Sequence, residues 1–87
     1  MKQINEAMKQ MKKNLSEEVK KVGEEIQKIR KQLDDIKARG VNVEREERML
    51  LEVSKLVEQA TALLEKGDYI AARVKISEAE DALQRLH

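Results

Sequence analysis

INEAMKQMKKNLSEEVKKVGEEIQKIRKQLDDI, residues 4–36, carries apolar side chains at Ile4, Met8, Met11, Leu15, Val19, Val22, Ile26, Ile29, Leu33 and Ile36. The gaps are all three or four residues, which keeps these side chains on one face of a helix with about 3.6 residues per turn. Two gaps of four follow one another at Met11, Leu15 and Val19, a stutter that locally unwinds a coiled coil. At the same place Asn14, with Glu17 three residues on, resembles a helix cap with its returning acid. The stretch therefore reads as one helix from Lys2 to Arg39 or as two pieces joined near residues 14–19. The unbroken stripe through residues 1–13 favours one. Apolar surface left in water forgoes roughly 25 cal/mol per Å², so a stripe of this length requires other helices to cover it.

Working outward, Gly40 suits the left-handed residue that ends a helix, with Lys37 and Arg39 at the negative end of the helix dipole. Asn42 is the expected cap of a second helix whose first turn holds Glu44, Glu46 and Glu47. That helix shows Met49, Leu50, Val53, Leu56, Val57, Ala60, Leu63 and Leu64, a stripe two residues wide that suits contact with two neighbours. Gly67 is expected to end it and Asp68 to cap a third, marked by Tyr69, Ala72, Ile76, Ala79, Leu83 and Leu86 and flanked by Ile70 and Val74. The fold class this predicts is all-α: an antiparallel three-helix bundle or helical hairpin with a long first helix and coiled-coil-like packing. Residues 17–87 are expected to form the core. Residues 1–16 are expected to project from it as an arm without a partner in the chain.

Composition narrows the chemistry. The 87 residues are 40% charged and 40% apolar, with Tyr69 the only aromatic and no cysteine, so disulfides, thiolate metal ligands and thiol nucleophiles are excluded. The sole histidine is His87, and no phosphate-cradling glycine motif occurs. Adjacent carboxylates such as Glu24 and Glu25 point about 100° apart on a helix and do not converge on one proton or metal. No enzyme activity and no cofactor are expected. No apolar run approaches the length of a membrane span, and a cytoplasmic location is expected.

Charge divides unevenly along the chain. Residues 1–39 carry eleven Lys or Arg against seven Asp or Glu, whereas residues 40–87 carry seven against ten. Lys2, Lys9, Lys13 and Lys20 fall within about 40° of one another on the first helix, roughly opposite its stripe. Such a row could follow a phosphate backbone. It is also the ordinary wet side of a coiled coil.

The string Gly67-Asp68-Tyr69-Ile70-Ala71-Ala72, preceded by Leu63-Leu64 and followed by Ala79, resembles the turn and second helix of a tetratricopeptide-type hairpin. The resemblance covers about residues 56–86. It implies a close helix crossing at Ala72 and Ala79, Tyr69 packed at the corner, and a surface suited to binding peptides or proteins.

The expected function is that of a non-enzymatic oligomerisation or adaptor module. Its partner is a second copy of itself or another protein, held by a seam of Ile4, Met8, Met11, Leu15 and Val19. The alternative expectation is a nucleic-acid accessory or regulatory protein that uses the lysine row.

Overall fold

A computed structural model describes the backbone of residues 2–86 and the side chains of residues 6–86. It contains α1 (Lys2–Ala38), α2 (Glu44–Lys66) and α3 (Tyr69–Leu86), joined by short turns into an up-down-up bundle. The all-α reading holds. At about 1.5 Å per residue the 37 residues of α1 span roughly 55 Å. That length sets the long dimension of a molecule measuring 59 × 18 × 16 Å.

Local chemistry ends each helix where the chain turns. Gly40, at φ 89°, donates its N–H to the Lys37 carbonyl at 2.9 Å, and Val41 donates to Ile36 at 3.4 Å. Gly67, at φ 83°, donates to Leu64 at 3.1 Å, and Asp68 to Leu63 at 2.9 Å. Both are Schellman turns, in which a left-handed residue lets the last carbonyls find donors. The Asp68 carboxylate then accepts the Ala71 N–H at 3.2 Å and starts α3 as its cap.

Two expectations shift. The first helix ends at Ala38 rather than Arg39, because Arg39 already belongs to the turn. Asn42 does accept the Glu44 N–H at 3.0 Å, but the residue that caps α2 is Val43, whose carbonyl receives the Glu47 N–H at 2.9 Å. Val43 is buried in the core, and that burial places the helix start one residue later than the polar signal at Asn42 suggests.

The core has two parts. The larger packs Val22, Ile26, Ile29 and Leu33 of α1 against Leu50 and Val53 of α2 and Ala79 and Leu83 of α3, with Val43 from the turn. The second surrounds Leu15 with Ala60, Leu64, Ala72 and Ile76, and Val19, Leu63 and Tyr69 pack against it. Ala60, Ala72 and Ala79 have no exposed surface, as close approach of α2 and α3 requires.

This second cluster moves the boundary of the arm. Leu15 is only 4% exposed and has partners in its own chain, so the core begins at Leu15, not at residue 17. α1 is also continuous through Asn14, whose side chain accepts a hydrogen bond from Gln10 at 3.1 Å instead of capping a new helix. The projecting part of α1 is correspondingly shorter than sixteen residues.

Candidate functional site: the exposed end of α1 and the outer face of α3

The stripe that runs buried, or at Val19 partly buried, from Leu15 to Leu33 continues toward the N-terminus into solvent. Met8 and Met11 are 47% and 41% exposed, and every side chain from Glu6 to Asn14 is exposed. Ile4 and Lys2, expected at the tip of the seam and of the lysine row, have side chains outside the described residues, as does His87. Of the expected seam, then, Met8 and Met11 form a free apolar surface, while Leu15 and Val19 are used inside the bundle.

The structure brings Met11 together with α3. A groove of about 440 Å³ is lined by Met11, Tyr69, Ile70, Arg73, Val74 and Ser77, and reaches Glu78 and Asp81 at its far end. Ile70 is 80% exposed and Val74 52%, both on the side of α3 turned away from Ala72, Ile76, Ala79 and Leu83. In the sequence these two residues stand only as flanking positions of the third stripe. Their signal was the four-residue spacing of Ile70 and Val74, about 180° from the buried stripe. Pairing them with Met11 required knowing which turn of α3 lies level with which turn of α1.

Glu80 of α3 faces a separate hollow, lined also by Lys21, Val22, Glu25, Leu83 and Gln84. Glu18 of α1 and Asp81 of α3 lie close enough to act on its charge. Burial pushes the Glu80 carboxyl above its usual range, and the negative charges of Glu18 and Asp81 push it further the same way. Glu78 meets Lys75 at 3.9 Å.

Lys9, Lys13 and Lys20 are all exposed along α1 and form an open cationic row. Gly40, Gly67, Asp68, Tyr69, Ala72 and Ala79 occupy turn or packing positions, and Asn42 holds the first turn of α2.

Smaller apolar areas lie elsewhere. Ile36 and Val41 share a hollow at the other end of the bundle, where they flank the Gly40 turn, and Leu51 is exposed on α2. A hydrophobic contact between these two positions normally accompanies a Schellman turn, so Ile36 and Val41 have a local explanation. Met8, Met11, Ile70 and Val74 have none. Among the described residues no group of three or more acids or histidines is placed to hold a metal ion, and no helix is long and apolar enough to cross a membrane.

No protein-family profile, no curated protein and no solved structure matches this chain. The functional reading therefore rests on the residues themselves.

Proposed function

We propose that this chain is a non-enzymatic helical interaction module that self-associates through the exposed part of the α1 stripe. One observation carries the reading: Met8 and Met11 continue a stripe that is buried or partly buried from Leu15 to Leu33, and Met11 opens onto a groove with Ile70 and Val74 beside it. Apolar side chains on helical spacing at the rim of a groove are the usual anchors for a helix from another chain. Methionine adapts its shape to such a partner with little loss of packing.

The test is sedimentation equilibrium over a wide concentration range, on the native chain and on a variant carrying Met8→Lys and Met11→Lys. Both positions are exposed, so the variant is expected to keep its helical signal. The native chain is expected to associate and the variant to remain a monomer. If the two chains sediment alike, self-association through this surface is wrong.

A second reading has its own observation, the exposed row of Lys9, Lys13 and Lys20. A nucleic-acid accessory protein that uses this row would bind in low salt and lose affinity steeply as salt rises. An absence of binding at low ionic strength removes this reading without touching the first.

A further inference from the structure

Resting on the self-association reading, we propose that Met8 and Met11 are sites of reversible oxidation by peroxide, and that their sulfoxides release the association while the bundle stays folded. Position sets sulfur apart from the rest of the stripe. From Leu15 to Leu33 the stripe of α1 is built of Leu, Val and Ile, and no methionine belongs to either core cluster. Within residues 4–36 sulfur occurs only at Met8 and Met11, where both side chains are exposed. They stand three residues apart, so both open on one face of the helix. Met49 of α2 is half-buried by contrast, and with no cysteine in the chain no thiol intercepts the oxidant first. The oxidisable sulfur of α1 is thus confined to the surface assigned to association and kept out of the core.

The chemistry needs only hydrogen peroxide and access from solvent. The thioether sulfur gives an electron pair to one peroxide oxygen: the S–O bond forms, the O–O bond breaks, and the other oxygen leaves as water with the proton of the oxygen transferred. Sulfur is oxidised by two electrons and the peroxide is reduced by two. A sulfoxide reductase reverses the step at the expense of two thiols, which pass into a disulfide while the sulfoxide oxygen leaves as water. The product changes what the face can do. A thioether is a weak acceptor that sits well in an apolar contact, whereas a sulfoxide is polar and needs a donor. Water supplies that donor while the arm is free. Association strips the water away, and an acceptor buried without a partner opposes binding. Two sulfoxides one turn apart act in the same direction. The bundle is spared, because neither cluster that holds it together contains sulfur.

The test uses the native chain. It is oxidised partially with hydrogen peroxide, the peroxide is removed with catalase, and the sample is re-equilibrated near its dissociation constant. Monomer and associated fractions are then separated by size, and sulfoxide is mapped in each by peptide mass spectrometry. Met8 and Met11 are expected to react about fivefold faster than Met49. Their sulfoxides should concentrate in the monomer fraction, with association about tenfold weaker and the helical signal unchanged, whereas sulfoxide at Met49 should divide evenly. Treatment with a sulfoxide reductase and a dithiol should restore association. If Met49 reacts as fast as Met8 and Met11, the assignment of the sites is overturned. Sulfoxides of Met8 and Met11 that divide evenly between the fractions overturn the release, and self-association then stands or falls on the Met8→Lys and Met11→Lys variant alone. Loss of helical signal together with association also overturns it, since the release would then be unfolding, and failure of the reductase to restore association overturns the reversibility. A chain that is monomeric at every concentration before peroxide is added overturns the self-association reading, and the release with it.

Discussion

Within α1 one apolar stripe has two fates. From Leu15 to Leu33 it is covered by α2 and α3, while Met11 and Met8, one and two turns beyond Leu15, are almost half exposed. Residue type and spacing hardly change across that border. What changes is whether α3 has started, because Tyr69, its first residue, packs against the cluster that surrounds Leu15. Exposure here is a consequence of unequal helix length, not of a different pattern, and the two regions should answer very differently to the same substitution.

The largest contrast is between Leu15→Ala and Met8→Ala. The first removes a side chain enclosed by Ala60, Leu64, Ala72 and Ile76, and should cost about 2 to 5 kcal/mol in urea denaturation. The second, measured at a concentration where the chain is monomeric, should stay within about 0.5 kcal/mol. Equal costs would mean that Met8 is covered in the monomer. Next comes the turn that fixes where α3 begins. Gly67→Ala forces a side chain into φ 83° and should cost about 1 to 2 kcal/mol, although the space around that position is open. Asp68→Ala loses the cap on Ala71 and should cost about 1 kcal/mol, read by the same denaturation.

A smaller effect sharpens the comparison at Glu80, where α3 lies beside α1. The folded pKa of Glu80 lies above its ordinary 4.5. Between the two values the folded chain holds more protons than the unfolded one, so this carboxyl's contribution favours the fold as pH falls and is lost as pH rises through the folded pKa. Thermal melts of Glu80→Gln against the native chain, taken across that acid range, should show the variant's stability varying less with pH. The smallest effect belongs to the surface. Glu44→Gln breaks a 3.8 Å ion pair with Arg48 between two well-exposed side chains and should change stability by a few tenths of a kcal/mol, less in high salt.

What was legible in the sequence was local. Gly40, Gly67 and Asp68 announce the ends of helices because left-handed backbone and capping depend on a residue and its near neighbours. The buried stripe from Val22 to Leu33 was legible because periodicity is itself a one-helix property. The fate of Leu15 was not legible. α2 runs 23 residues back from the end of α1, and the two-residue turn before Tyr69 carries the chain a little further, so cover reaches one turn lower than matched rods suggest. Val43 escaped for a related reason. Nothing adjacent in sequence shows that the loop side chain drops into the core and displaces Asn42 as the cap. The groove at Ile70 and Val74 needed both pieces of information, the level of α3 along α1 and the face it turns outward.

The continuity of α1 through Asn14 has a mechanical meaning. Residues 2–38 form one unbroken helix, so the segment before Leu15 is a lever whose fulcrum is a core side chain. Such a lever is already extended before anything grips it, and a gripping chain does not have to order it first, which spares the entropy that a floppy tail would lose. Load placed on the arm passes directly into the cluster of Leu15, Leu64, Ala72 and Ile76. Docking there should slow amide exchange in the first turns of α3, well away from the residues touched.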